Sequence, residues 1–263
     1  MQDSDQPGPD QRNKRIYILP NLLTTASLFA GFYAIIQATQ GHFDVSAAAI
    51  FIAAILDSLD GRVARMTNTV SDFGKEYDSL SDVIAFGLTP ALVSYEWALS
   101  SLGKVGWLVS FLFVACAALR LARFNSMVGA DKRFFQGIPC PAAAAFVAAF
   151  VWMVFSYENK GSDWPYTTLF ITVIASFAMV SNIPYYSFKD INLKGRMPFV
   201  GLIVLVFIFV LISSDPPNVL FILCLLYFIS GPIISLPYFR KKFSHVKSVP
   251  EVLNLDEDND PED

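Results

Sequence analysis

The sequence predicts an all-α membrane protein, a polytopic bundle of about eight helices, and three observations carry that prediction. Charged residues make up 16% of the 263-residue chain and hydrophobic ones 54%, with a mean hydropathy of +0.47. A soluble domain has roughly a quarter of its residues charged. Apolar runs of membrane-crossing length recur along the chain with no strand-like alternation. Basic residues fall almost entirely on one set of connecting loops. The length suits a single polytopic unit: a flexible polar arm (1–15), a transmembrane domain (16–240) and a tail (241–263).

The first span is expected over about 22–38, with Pro20 opening the helix. Gly41, His42 and Asp44 make a short turn, and the second span runs over about 45–62. Residues 66–76 form a polar connector, and the third span, about 77–99, is expected to kink at Thr89-Pro90. The fourth, about 106–121, runs out into Arg120-Leu-Ala-Arg123-Phe-Asn125. A polar loop carrying Lys132, Arg133 and Gln136 follows. Four further spans are expected near 142–157, 166–183, 198–213 and 218–236, the last broken at Gly231-Pro232.

Seventeen of the 19 Lys and Arg residues lie on the loops that share a side with the N-terminus; Lys104 and Lys160 are the two exceptions. That split places both termini in the cytoplasm and supports an even number of spans. The net charge of −4 is set by residues 251–263, which hold seven acids and no base and read as a disordered, solvated end. No cleavable signal peptide and no nucleic-acid partner are expected. Cys116, Cys140 and Cys224 have no metal-site spacing and suggest no disulfide. His42 and His245 receive no role.

The chemistry concentrates between the second and third spans. Asp57 and Asp60 are three residues apart, and Asp78 and Asp82 four apart, so each pair lies on one helix face. Asp57 stands twelve residues past Val45, about 18 Å into a hydrocarbon layer of about 30 Å. Four carboxylates at that depth are tolerable only in a wet cavity with cations, and intramembrane acids are functional by default. Carboxylates without His or thiolate favour a hard cation such as Mg²⁺ or Mn²⁺. Two such pairs can hold two divalent ions, a common arrangement for phosphoryl chemistry. Gly61 and Gly74 admit close approach of a phosphate ligand, Ala64 keeps the same face open, and Arg65 clamps phosphate or orients a carboxylate. Asp72 and Glu76 fall off this register and read as connector residues.

The spacing D-x2-D-G-x2-A-R-x8-G-x3-D-x3-D, at Asp57, Asp60, Gly61, Ala64, Arg65, Gly74, Asp78 and Asp82, resembles the signature of the CDP-alcohol phosphotransferases at all eight fixed positions. The resemblance implies a homodimeric helix bundle with the motif on its second and third transmembrane helices. It implies that Asp57, Asp60 and Asp78 bind metal, with Asp82 as a further ligand and the general base. Gly61, Ala64, Arg65 and Gly74 would line the CDP site with Asp57 and Asp60, joined by Asn21 and Thr24. Three further segments are similar to the phosphatidylserine synthase branch: Leu19-Pro20-Asn21-Leu-Leu-Thr24, Arg120-Leu-Ala-Arg123-Phe-Asn125, and Phe135-Gln136-Gly137-Ile-Pro139-Cys140-Pro141.

That branch implies a transfer from CDP-diacylglycerol to L-serine in the inner membrane, with the site facing the cytoplasm. Arg120, Arg123, Asn125, Lys132, Arg133 and Gln136 become candidates for holding a lipid phosphate or the serine carboxylate. Charge alone leaves glycerol phosphate, inositol or choline open as the acceptor. A divalent-cation transporter is the remote alternative, although the internal repeats common in transporters are not visible.

Overall fold

The computed structural model of the chain describes residues 9–67, 69–126, 134–186 and 199–246. The described residues are overwhelmingly helical, as the hydropathy predicts. α1 (Pro9–Thr39) and α2 (Phe43–Met66) form an antiparallel pair turned by Gly41. Small side chains let the two backbones approach: Ala30, Ala34 and Ala38 on α1, and Ala47, Ala49 and Ala53 on α2, are all buried. Two hydroxyls lock the pair, Ser27 donating to the Ala53 carbonyl (2.9 Å) and Ser46 to the Ala34 carbonyl (2.8 Å). α1 differs from expectation in beginning at Pro9, so that Pro20 lies inside the helix instead of opening it. Its missing N–H removes one bond of the helical ladder, which a long helix packed on α2 tolerates.

α3 (Asp72–Asp82) begins inside the expected connector, because the Ser71 hydroxyl caps it by accepting the Gly74 N–H (3.0 Å). α4 (Thr89–Trp97) continues it, and the join is a π-helical segment, Val83–Leu88, where a kink at Thr89-Pro90 was expected. The reason is local. Pro90 cannot donate in an α-helical register, and the Thr89 N–H instead reaches the Ile84 carbonyl five residues back. The Thr89 hydroxyl donates to Ile84 (2.9 Å) or Gly31 (3.2 Å), both carbonyl acceptors. A Cβ on Gly31 would lie 2.9 Å from the Ala85 Cα, so α1 meets this segment backbone to backbone.

α5 (Lys104–Ser126) extends past its expected end and carries Arg120, Arg123 and Asn125 on its final turns. α6 (Cys140–Ser156) is the most enclosed helix, with Ala143 to Val151 buried throughout. α7 (Pro165–Val180) packs on α5 and α6. One departure from an all-helical reading is a short antiparallel ribbon: β1 (Phe134–Gln136) pairs with β2 (Pro184–Tyr186), joining Gln136 to Pro184 in register. α8 (Phe199–Ser214) and α9 (Pro216–Val246) follow. α9 runs unbroken through Gly231-Pro232, where a break was expected. It is held by Phe221 and Phe228, whose rings stack on Phe146 at 5.9 and 4.7 Å, and by the Tyr185 hydroxyl donating to the Phe228 carbonyl (3.2 Å).

Among the described residues, Leu19–Thr39, Lys104–Ser126 and Pro216–Ile233 are long and apolar enough to cross a membrane, with Cys140–Ser156 and Pro165–Val180 shorter but strongly apolar. Large apolar side chains such as Phe29, Ile55, Phe111, Phe170 and Phe209 are more than half exposed. A soluble protein does not leave so much apolar surface in water, and a membrane protein is the consistent reading.

Candidate functional site

α2 reaches the site with its last three turns, and α3 along its whole length of 11 residues. The antiparallel packing of α1 on α2, with α3 crossing beside α1, brings the two acidic faces together. Oxygen atoms of Asp57, Asp60 and Asp78 all lie within 4.8 Å of one another. Opposite ligands of an octahedral Mg²⁺ sit about 4 Å apart, given metal–oxygen distances of about 2.1 Å. Three hard oxygen donors at this spacing, from a buried and two half-buried aspartates, therefore fit a divalent cation. Asp82 lies outside that group of three. Its carboxyl is hydrogen-bonded to Asp57 and feels the charges of Asp78 and Asp60 as well.

Hydroxyl-bearing residues of α1 position both acidic helices. The buried Thr24 Oγ1 donates to Asp60 Oδ2 at 2.6 Å, a short charge-assisted bond. Its carbonyl accepts from the Ser81 hydroxyl (3.3 Å), and the neighbouring Thr25 pairs with the Tyr77 hydroxyl (2.9 Å). Thr24 thus touches an expected metal ligand directly. Thr25, Tyr77 and Ser81 were not legible as site residues. A paired Thr-Thr opposite an acidic motif is the faint signal that could have found them.

Gly61 is open: a Cβ there would meet nothing within 4 Å. Arg65 is exposed and Ala64 half-buried on the same turn. Gly74 is enclosed, with a Cβ falling 3.1 Å from the Ser71 hydroxyl and 3.4 Å from Asn21 Oδ1. Asn21 is therefore at the N-terminus of α3, where first-turn N–H groups favour an anion.

The remaining basic candidates separate. Arg123 is a clamp: its Nη2 donates to Gln136 Oε1 (2.5 Å) and Asn182 Oδ1 (2.7 Å), tying α5 to the ribbon and to the end of α7. Asn125 donates to the Ser79 hydroxyl (2.9 Å), bracing α3 next to Asp78. Arg120 is buried, with Nη1 3.7 Å from Cys140 Sγ. Lys132 and Arg133 lie outside the described residues.

Comparison with known proteins agrees with this geometry. Residues 17–181 match the CDP-alcohol phosphatidyltransferase family. The chain is 42% identical over 219 residues to a CDP-diacylglycerol–serine O-phosphatidyltransferase of Helicobacter pylori, covering 83% of this chain and 91% of that protein. A protein of the same name from Mycobacterium leprae is 32% identical over 82% of this chain and 74% of its own length. An archaetidylserine synthase of Methanothermobacter thermautotrophicus is 35% identical over 67% of this chain and 72% of its own. The eight-position motif, the convergence of three of its aspartates and the match across 17–181 lead to one conclusion: the chain belongs to the CDP-alcohol phosphatidyltransferase family.

Proposed function

We propose that this chain transfers the phosphatidyl group of CDP-diacylglycerol to L-serine, giving phosphatidylserine and CMP. The observation that carries the reading is the meeting of Asp57, Asp60 and Asp78 beside Asp82 at the ends of apolar helices. The names of the similar proteins support serine as the acceptor.

Asp57, Asp60 and Asp78, with Asp82 as a further ligand, would hold two divalent ions, Mg²⁺ or Mn²⁺. Bound there, the ions supply electrostatic stabilisation of the diphosphate as charge develops on it. The protein's own groups do the rest. Gly61 and Ala64 leave the α2 face open to the cytidine diphosphate, Arg65 reaches its phosphates, and Asn21 and Gly74 close the other side. Asp82 accepts the proton of the serine hydroxyl, the oxygen forms a new bond to the phosphorus bearing diacylglycerol, and the bond from that phosphorus to CMP breaks. A positioned base of this kind is worth about 10²–10⁴ in rate. An apolar groove of about 360 Å³ between α1 and α2, walled by Phe29, Tyr33, Ile52 and Leu56, begins one residue from Asp57 and suits an acyl chain.

The one-sided distribution of Lys and Arg supports an enzyme of about eight spans in the inner membrane, with its site and both termini facing the cytoplasm. Family membership supports a homodimer. The test is CMP release by purified protein with CDP-diacylglycerol, Mg²⁺ or Mn²⁺, and serine, glycerol phosphate, inositol or choline in turn. Release with serine alone is expected, abolished by a chelator and restored by metal. Release with another alcohol, or none at all, overturns the assignment.

A further inference from the structure

The direction in which α3 aims its aspartates depends on the helix that follows it. α4 is fixed in the bundle, with Thr89, Pro90, Ala91, Val93, Ser94 and Trp97 all buried. α3 has one buried residue in its 11, Ser81, and meets its neighbours through polar contacts of Tyr77, Ser79 and Ser81. Its rotation about its own axis is therefore inherited from α4, through the π-helical segment Val83–Leu88 that joins them. Asp82 is the last residue of α3 and borders that segment directly.

A π-helical turn bonds five residues back instead of four, so it holds one residue more than the α-helical turn it replaces. One residue of α-helix corresponds to about 100° of rotation and about 1.5 Å of rise. With the same residues in α-helical register, α3 would be turned by about 100° relative to α4, carrying Asp78 and Asp82 away from α2. Two side chains hold the π register. Pro90 has no N–H for the Phe86 carbonyl four residues back, and its ring clashes with that carbonyl in an α-helix. Thr89 places its N–H on the Ile84 carbonyl five residues back, and its hydroxyl on that carbonyl (2.9 Å) or on that of Gly31 (3.2 Å). The neighbours leave room for the wider turn only by lacking side chain. A Cβ on Gly31 of α1 would lie 2.9 Å from the Ala85 Cα, and one on Gly87 would lie 3.1 Å from the Ala117 Cβ of α5.

We propose that Thr89 and Pro90 are positioning residues: by holding Val83–Leu88 one residue out of α-helical register, they aim Asp78 and Asp82 at Asp57 and Asp60. This rests on the reading of the aspartates as a divalent-ion site. The test is Mn²⁺ binding to the metal-free, full-length protein, measured by calorimetry without lipid. Thr89→Val combined with Pro90→Ala gives residue 90 an N–H and frees the Ile84 carbonyl from the hydroxyl. The double variant weakens Mn²⁺ binding by about 10–100-fold, the usual cost of losing the support of a metal ligand. Deleting Ile84 from the double variant restores the wild-type affinity, because an α-helix one residue shorter returns Asp78 and Asp82 to their original angle. Ile84 is an exposed residue of the segment, so its removal opens no hole in the core. A double variant that binds like wild type overturns the proposal. So does an Ile84 deletion that leaves the loss in place, which assigns the defect to packing instead of rotation. Should the double variant aggregate on gel filtration, the deletion variant decides alone: a folded protein that binds Mn²⁺ upholds the positioning role, and one that is aggregated or does not bind refutes it. Wild-type protein that binds no Mn²⁺ refutes the ion-site reading itself, and the positioning role with it.

Discussion

Replacing Thr24 by Val tests whether α1 tunes the acidic site or merely packs against it. Valine keeps the branched shape of threonine and its stiff χ1, so the helix is undisturbed and one hydroxyl is lost. That hydroxyl gives a 2.6 Å bond to Asp60, and both residues are buried. A hydrogen bond to a charged acceptor contributes about 1.5–3 kcal/mol. Every 1.4 kcal/mol is a factor of ten, so the loss corresponds to about 10–100-fold. The same range is found when an outer-shell partner of a metal ligand is removed. Because Asp60 would serve as a metal ligand, the loss should fall on cation affinity. The assay is CMP release against Mn²⁺ concentration with both lipid and serine saturating. Thr24→Val should move half-saturation upward by about 10–100-fold, with activity recovering at high metal, and Thr24→Ser should stay near wild type. A Thr24→Val titration superimposable on that of the wild type would refute the reasoning.

Three other outcomes follow from the same geometry. Asp82→Asn should keep CDP-lipid binding by calorimetry while CMP release drops by about 10²–10⁴, the usual worth of a general base; full activity would remove Asp82 from that role. Asp57→Asn should lose divalent-ion binding, measured by metal titration without lipid, because it removes the negative charge from one of three clustered carboxylates. Gly31→Ala should lower thermal stability in detergent by about 1–3 kcal/mol, since the new methyl would meet the Ala85 backbone at 2.9 Å. A stability equal to wild type would show that α1 can move away from the π-helical segment.

The site was legible to different depths. Asp57 with Asp60, and Asp78 with Asp82, are local patterns: helical periodicity alone puts each pair on one face, and an apolar neighbourhood makes them conspicuous. Thr24 was visible only through its motif and carried no sign of its bond to Asp60, thirty-six residues away. Arg120 and Arg123 looked alike in the sequence, two bases three residues apart on one helix. Three residues leave them only about 60° apart on the helix, so periodicity does not separate them; what differs is the neighbour at each level of α5, Cys140 at Arg120, and the ribbon and the end of α7 at Arg123. The helix limits show the same division. Apolar length located most of the helices, while Pro20 and Gly231-Pro232 misled because a packed helix absorbs a residue that would break an isolated one.

Composition and periodicity, being properties of neighbouring residues, were enough to establish a helical membrane protein and the acidic faces of two of its helices. Which faces meet, which hydroxyl braces which carboxylate, and which arginine is buried depend on contacts between residues tens of positions apart. Those were decided by how small side chains let α1 approach α2 and the segment after α3, because packing of this kind leaves no periodic trace along the chain.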